Sequence, residues 1–158
     1  MMSAEKVSTE IRVQENKEIQ DKLGKTWFFD LDGTLLKSTS NESLDSIINQ
    51  FGPKSFRQEI ALPSSKKFLK NIPKQDKVVL TTARSKRHKD HTVKALDFLG
   101  IKYDQIIFDI TSGARILVND IKPKGAVKNG HEIKTAFAIN LKRDAGLEKE
   151  HLNEYLRI

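Results

Sequence analysis

The sequence predicts an α/β fold, a Rossmann-like three-layer sandwich in which helices cover both faces of a mostly parallel sheet of about five strands. Two observations indicate this fold class. The candidate strands are continuous apolar runs instead of alternating patterns, which is typical of strands buried on both faces. Segments with helical spacing separate these runs, as the connections of a parallel sheet require. With 158 residues, the chain is expected to form one main domain.

The boundaries of the elements follow from apolar runs and from residues that begin or end helices. Asn41 can cap a helix that ends at Gly52. Pro63 opens a second helix, and Gly100 ends a third. An amphipathic helix is expected at the C-terminus, over residues 147–158. The predicted strands are residues 26–29, 78–80, 106–108, 116–118 and 135–140.

The N-terminal segment differs in character from the rest of the chain. Residues 1–24 are charged, and their apolar residues are irregularly spaced. This pattern predicts a charged N-terminal extension, either frayed or a loose helix, ahead of a domain over residues 25–158. Within that domain, residues 37–63 leave room for a small flap and one helix.

The composition excludes several classes of function. The chain has no cysteine, which excludes disulfides, cysteine-ligated metal centres and a thiol nucleophile. Its apolar runs are far shorter than the roughly 20 residues of a membrane-spanning helix, and its N-terminus lacks the apolar core of a signal peptide. We therefore expect a cytoplasmic protein without a membrane partner. The net charge of +7 favours anionic partners such as phosphorylated sugars, nucleotides or nucleic acids.

Polar residues follow three of the predicted strands. Asp30 and Asp32 come after the first strand, Thr81 and Thr82 after the second, and Asp120 after the fourth. The carboxyl ends of parallel strands meet at one edge of the sheet, where ligands bind. Three carboxylates at that edge would repel one another without a cation, and oxygen donors suit Mg²⁺ better than zinc. These residues therefore predict a magnesium site.

The segment Asp30-Leu31-Asp32-Gly33-Thr34 combines two carboxylates with a turn. A carboxylate at a strand end can attack phosphorus and form an acyl phosphate. A second carboxylate two residues later lies on the same side of an extended chain, so both can act on one substrate. Gly33 lets the backbone turn sharply beneath the site. The alternative interpretation is an ordinary turn with solvated carboxylates.

Three segments resemble motifs of the haloacid-dehalogenase superfamily, most of whose members are phosphatases. Residues 28–35 (FFDLDGTL) resemble the first motif, residues 78–84 (VVLTTAR) the second and residues 116–120 (ILVND) the fourth. The resemblance covers roughly residues 25–142. A weaker likeness of the segment 118–140 to small phosphatases encoded with surface-polysaccharide genes points to sugar phosphates.

The resemblance implies roles for the acidic residues. Asp30 would attack phosphorus and form an aspartyl-phosphate, while Asp32 would protonate the leaving oxygen and later deprotonate the attacking water. Mg²⁺ would be held by the Asp30 carboxylate, the Asp32 backbone carbonyl and Asp120. Together these roles describe a magnesium-dependent phosphomonoesterase.

The second motif would bind the phosphate group of the substrate. Thr82 is the predicted phosphate-binding hydroxyl, with Thr81 as the alternative. Ala83 and Arg84 complete this predicted binding loop. Residues 66–94 form a strongly basic stretch, with ten Lys or Arg and two Asp, which we interpret mainly as a solvated face. Within it, Arg84, Lys86 and Arg87 are as well suited to binding an anionic substrate as to a surface role.

The chain departs from the family pattern at two motifs. The family's third motif supplies a lysine near the phosphate, but residues 108–115 contain none. The fourth motif often has two acids, whereas here Asn119 precedes Asp120. Candidates for the missing cation are Arg115, Lys122, Lys86 and Lys102.

The short insert at residues 37–63 implies a phosphatase without a large cap domain. Capless relatives act on large substrates or borrow a neighbouring subunit as a cap, so a homo-oligomer is one expected arrangement. The leading hypothesis is a Mg²⁺-dependent phosphatase of a small phosphorylated metabolite, with sugar phosphates favoured. A nucleotide or nucleic-acid-end phosphatase is the first alternative, because of the basic stretch. A catalytically weak phosphate-binding or regulatory module is the second, because the third-motif lysine is missing.

Overall fold

The computed structural model describes residues 1–156, in which four α-helices, three β-strands and three 3₁₀ segments form. Helices separate the strands along the chain and the sheet is all-parallel, which confirms the α/β, Rossmann-like fold class. In chain order the helices and strands are α1 Ala4–Leu23, β1 Thr26–Asp30, α2 Asn41–Phe51, α3 Pro63–Lys70, β2 Lys77–Thr81, α4 Lys89–Phe98 and β3 Gln105–Ile107. The 3₁₀ segments are Gly52–Gln58, Lys86–His88 and Lys149–Leu156.

The three strands form one open, all-parallel sheet in the order β1-β2-β3, with β2 in the middle. β1 and β2 pair from Thr26 opposite Lys77 to Asp30 opposite Thr81. β3 continues the sheet, with Ile107 opposite Thr81. The carboxyl ends of the strands therefore lie side by side, as a site at that edge requires.

The hydrophobic core lies on one face of this sheet. Trp27 and Phe29 alternate with residues of the other face along β1, and their rings stack at 5.9 Å. Phe68 of α3 meets both rings edge-on, at 5.6 and 6.2 Å, a favourable aromatic geometry. Leu80 of β2 and Leu96 of α4 are fully buried in this core. The packing of α3 and α4 thereby fixes the chain around the ends of β1 and β2.

The prediction of about five strands was wrong, because residues 1–156 contain three. Residues 116–118 and 135–140, predicted as the fourth and fifth strands, do not join the sheet. The pairing recorded near them is one antiparallel bridge between Lys122 and Ile133. All three residues of the first segment are exposed. A short apolar run becomes a strand only where an edge strand of the sheet packs and pairs with it. The edge strands β1 and β3 do not pair with either of these segments.

The N-terminal segment is a continuous helix rather than a frayed extension. Ser3 caps α1, since its Oγ accepts the Lys6 N–H at 3.3 Å. Gly24 ends the helix with a φ of +77°. Ile19 is buried, whereas Ile11 is exposed, so the helix has a narrow contact face. No helix within residues 1–156 combines the length and apolar character needed to cross a bilayer.

The insert between β1 and α3 holds α2 and the 3₁₀ segment Gly52–Gln58. Ser40 caps α2 instead of Asn41, because the Ser40 hydroxyl accepts the Ser43 N–H at 3.1 Å. The Asn41 side chain is directed to the loop after β2. The 3₁₀ segment packs against α4, which places Glu59 beside the same loop.

The C-terminal segment is shorter than the predicted helix over residues 147–158. It forms the 3₁₀ segment Lys149–Leu156, and residues 157–158 lie outside the described residues. Tyr155 packs edge-on against Trp27 at 6.0 Å. This contact attaches the end of the chain to the core face of β1.

Candidate active site

The turn after β1 places two carboxylates at the carboxyl edge of the sheet. Leu31 and Leu35 are almost completely buried, and the Leu35 N–H donates to the Leu31 carbonyl at 2.9 Å. Gly33 has a φ of +84°, a conformation that favours glycine. Asp30 and Asp32 are therefore carried by a backbone that packing and hydrogen bonds hold in place.

Asp30 is partly buried and has two side-chain partners. Its Oδ1 accepts from Arg115 Nη2 at 2.9 Å, and its Oδ2 accepts from Thr34 Oγ1 at 3.3 Å. Burial raises the pKa of Asp30 above its ordinary value; Arg115 opposes this effect, and the nearby charge of Asp32 adds to it. Arg115 is therefore the main neighbour that favours the ionised form of Asp30.

Both carboxylate oxygens of Asp32 are bound by one guanidinium. Arg84 Nε donates to Oδ2 at 2.9 Å, and Arg84 Nη2 donates to Oδ1 at 2.8 Å, which makes a bidentate pair. Nη2 also donates to Glu59, and Nη1 donates to Thr92. Burial acts to lower the pKa of Arg84, but the hydrogen bonds to Asp32 and Glu59 outweigh it and raise that pKa. Arg84 is 2% exposed and faces Asp32 instead of solvent.

The two threonines after β2 have different surroundings. Thr81 is partly exposed and lies opposite Asp30 in the parallel pair, and its hydroxyl donates to the Phe29 carbonyl at 3.4 Å. Thr82 is completely buried, and its Oγ1 accepts the Arg84 N–H at 3.1 Å. Thr81 is therefore the hydroxyl at the open edge, while Thr82 supports the loop from within.

The loop after β2 is fixed by side chains from other segments. The Ala83 carbonyl accepts from Asn41 Nδ2 at 3.3 Å, and the Ser85 N–H donates to Asn41 Oδ1 at 3.0 Å. The Lys86 N–H donates to Asp109 Oδ1 at 3.0 Å. Asp109 itself has a φ of +59°, which aspartate tolerates better than most residues. The predicted phosphate-binding loop is thus held by α2 on one side and by the chain after β3 on the other.

The structure does not bring Asp120 together with the other two predicted metal ligands. Asp120 is exposed; its N–H donates to Asn119 Oδ1 at 3.1 Å, and its carbonyl accepts from the Thr135 hydroxyl. Among residues 1–156, no group of three or more His, Asp or Glu side chains is arranged to hold a metal ion. Asp120 therefore does not complete a three-carboxylate cluster with Asp30 and Asp32 here.

The donors at the end of β1 nevertheless suit a hard divalent cation. The Asp30 carboxylate and the Asp32 backbone carbonyl are oxygen donors, and Mg²⁺ commonly takes one or two carboxylates together with phosphate and water oxygens. The burial that raises the Asp30 pKa is a cost that a bound cation would offset. These two residues therefore fit Mg²⁺ by the chemistry of their oxygens.

Among the cations predicted to replace the third-motif lysine, Arg115 is bonded to the candidate nucleophile. Arg115 comes from the irregular segment after β3, and its side chain is 42% exposed. Lys122 instead pairs through its backbone with Ile133, at 2.9 and 3.0 Å. The geometry therefore favours Arg115 over Lys122 for contact with a group bound at Asp30.

Sequence reasoning did not identify Glu59 and His91 as neighbours of this site. Glu59 Oε2 lies 3.0 Å from Arg84 Nη2, and Glu59 Oε1 lies 3.1 Å from His91 Nε2. Burial acts to raise the pKa of Glu59, but the hydrogen bonds to His91 and Arg84 outweigh it and lower that pKa. The one available signal was that Glu59 is the single acidic residue of residues 51–62.

The comparisons with known proteins agree with the motifs. A family model described as HAD superfamily, subfamily IIIB (acid phosphatase), matches residues 2–137. The matched range includes every predicted site residue from Asp30 to Asp120, and it also includes α1, which the motif resemblance did not cover. No curated protein and no solved structure gives a significant match to the chain.

Proposed function

This chain belongs to subfamily IIIB of the haloacid-dehalogenase superfamily, the acid phosphatases, and we propose how its residues act. In this proposal it hydrolyses phosphate monoesters with Asp30 as nucleophile and Asp32 as general acid and base. Family membership makes the chain a phosphatase; the residue roles are the proposal. These roles are supported by the two carboxylates at the end of β1, because Asp30 is bound by Arg115 and Asp32 by Arg84. Two carboxylates in different electrostatic surroundings are suited to two different roles.

The proposed reaction has two steps. In the first, an Asp30 oxygen attacks phosphorus, the bond from phosphorus to the leaving oxygen breaks, and Asp32 gives that oxygen a proton. In the second, Asp32 takes a proton from water, whose oxygen attacks the aspartyl-phosphate. The bond between phosphorus and Asp30 then breaks, which releases inorganic phosphate and restores both carboxyl groups.

Phosphate contacts in this proposal come from both sides of Asp30. Thr81 lies on the β2 side, in register with Asp30, and Arg115 donates to Asp30 from the chain after β3. Thr82 is the hydroxyl predicted to bind phosphate, but it is completely buried, so we propose its alternative, Thr81, for this contact. Thr82, Ala83 and Arg84 then shape the loop behind Thr81. Positive charge and hydrogen-bond donors around a transferring phosphoryl group stabilise its charge in the transition state. Lys122 remains the predicted alternative to Arg115.

Phosphatases of this superfamily generally use a divalent metal, and we propose Mg²⁺ for this chain. The Asp30 carboxylate and the Asp32 carbonyl would hold it, with Asp120 as the third predicted ligand. When bound, the ion would neutralise charge on the phosphoryl oxygens. The remaining ligands would be water and the substrate phosphate.

For the substrate we propose a small phosphorylated metabolite, with sugar phosphates favoured. The insert at residues 37–63 consists of α2, a 3₁₀ segment and irregular chain, which supports a site without a large cap domain. The net charge of +7 is the observation that favours a nucleotide or a nucleic-acid end as the second candidate. Steep loss of activity with rising salt would identify a polyanionic substrate.

The test is phosphate release from sugar phosphates, nucleotides and 3′-phosphorylated oligonucleotides, with Mg²⁺ and with a chelator. We expect metal-dependent release from one class, and loss of about 10³-fold or more in Asp30→Asn because the nucleophile is gone. Asp90→Asn, which removes an exposed carboxylate on α4, is the matched control and should keep full activity. Equal activity of Asp30→Asn and the unchanged protein would overturn the assignment. A folded protein that binds Mg²⁺ and releases no phosphate would favour the regulatory module.

A further inference from the structure

We propose that Glu59 and Thr92 are positioning residues for phosphoryl transfer, because they fix the direction in which Arg84 presents its guanidinium to Asp32. The inference rests on the proposed role of Asp32 as the general acid. It concerns residues outside all of the motifs, one at the end of the insert and one on α4. Both act through Arg84 and neither faces the substrate edge directly.

The first observation is how completely Arg84 is engaged. A guanidinium carries five N–H groups in one plane. Two of them bind the oxygens of Asp32, a third binds Glu59 at 3.0 Å, and a fourth binds Thr92 at 3.1 Å. Because the group is planar and rigid, the contacts to Glu59 and Thr92 set the plane in which the Asp32 carboxylate is held.

The second observation is that the partners of Arg84 are themselves fixed. The Glu59 side chain is 5% exposed, and its other oxygen bonds His91 Nε2 at 3.1 Å. His91 Nδ1 lies 2.9 Å from the Ser55 hydroxyl. The Glu59 carboxylate therefore cannot rotate without breaking a second buried contact, and such buried contacts are costly to break.

The third observation concerns where the anchors come from. Ser55 lies in the 3₁₀ segment of the insert, while His91 and Thr92 are adjacent on α4. This places the orientation of Asp32, at the end of β1, under the control of packing between two elements outside the sheet. A catalytic group held through its neighbours in this way loses efficiency when its support is loosened by a fraction of a bond length.

A general acid leaves a signature that simple loss of stability does not. An alkyl phosphate has a poor leaving oxygen that needs a proton, whereas p-nitrophenyl phosphate has a good leaving group that needs little help. A loosened Asp32 therefore lowers kcat/KM more for the alkyl ester than for the aryl ester. Because both substrates are measured on one preparation, their ratio does not depend on the fraction of protein that is folded.

We expect Glu59→Ala to lower the alkyl-to-aryl ratio of kcat/KM by about 10-fold, because kcat/KM reports the first step, in which the leaving oxygen departs. Thr92→Val, which is nearly isosteric and so keeps the packing, should lower the ratio in the same direction by a smaller factor. Glu59→Gln should recover most of the ratio, because its amide oxygen can still accept from Arg84. Asp76→Asn, at a buried ion pair elsewhere, is the control and should leave the ratio unchanged.

Asp32→Asn, measured in the same assay, tests the general-acid role of Asp32 separately from the positioning role of Glu59 and Thr92. If Asp32→Asn does not lower the ratio, the general-acid role fails and the inference falls with the proposed function. If Asp32→Asn lowers the ratio while Glu59→Ala and Thr92→Val leave it unchanged, the proposed function stands and the positioning role is overturned.

Discussion

Arg115 Nη2 lies 2.9 Å from Asp30 Oδ1, although 85 positions separate the two residues in the sequence. The contact joins the irregular chain after β3 to the last residue of β1. It links the candidate nucleophile to a partly exposed cation, whereas Asp32 is paired with a buried one. A cation in this position can also reach a phosphoryl group bound at Asp30.

Arg115→Ala is expected to reduce kcat/KM for phosphate release by about 10–100-fold, because the phosphoryl group loses a charged partner. Arg115→Lys should recover part of that loss, since lysine keeps the positive charge but lacks the planar set of N–H donors of a guanidinium. Steady-state kinetics on the substrate identified in the panel measures both. Arg57→Ala, an exposed arginine in the insert, is the control. Unchanged kinetics in Arg115→Ala would transfer the role to Lys122.

Asp76 stabilises the start of β1. Its carboxylate is completely buried and accepts from the Lys25 N–H at 2.9 Å and from Trp27 Nε1 at 2.8 Å, and it pairs with Lys25 Nζ at 2.9 Å. Asp76→Ala leaves these donors without a partner, so the free energy of unfolding should fall by about 3 kcal/mol. Urea unfolding followed by tryptophan fluorescence measures the change. Lys77→Ala, which breaks an exposed pair with Asp104 and leaves the Asp104 bond to the Val78 N–H in place, should cost less than about 1 kcal/mol.

Asp45 makes stability depend on pH in the acidic range. Hydrogen bonds from Arg87 and His88 lower the pKa of Asp45 to about 2, from an ordinary value of 3.8. The unfolded state therefore binds the proton first, so the stability from this group is present above about pH 4 and is lost as the pH falls towards 2. We expect the unfolding temperature of Asp45→Asn to vary less across this window. If the unfolding temperature of Asp45→Asn changes with pH as steeply as that of the unchanged protein, Asp45 is not the source of this pH dependence. Asp90→Asn, which removes an exposed carboxylate elsewhere, is the control.

The sequence was most informative where chemistry and local structure coincide. Asp30 and Asp32 follow an apolar run and precede a glycine, so their place at the end of β1 could be predicted from neighbouring residues alone. The α/β class followed in the same way from the apolar runs. Asp120 shows the limit of this reasoning, because its expected position depended on a fourth strand, and residues 116–118 do not pair with the sheet.

The partners of the site residues could not be predicted from local patterns. Arg84 was placed in the binding loop by its motif, but its bond to Asp32 spans 52 positions and its bond to Glu59 spans 25. Such contacts depend on how the insert packs against α4, which no spacing in the sequence specifies. The same holds for Asn41, which was expected to cap a helix but instead bonds the loop after β2, while Ser40 caps α2.

The pairing of β1 with β2 has a consequence for the chain while it is being made. Each β1 residue pairs with a residue 51 positions later, and synthesis at about 5–20 residues per second puts about 3–10 s between them. During that time the apolar run Trp27-Phe28-Phe29 has been synthesised, but the β2 residues that pair with it have not. The chain is therefore most open to wrong association before Thr81 has been added, and a delay in translation between the two strands prolongs that exposure.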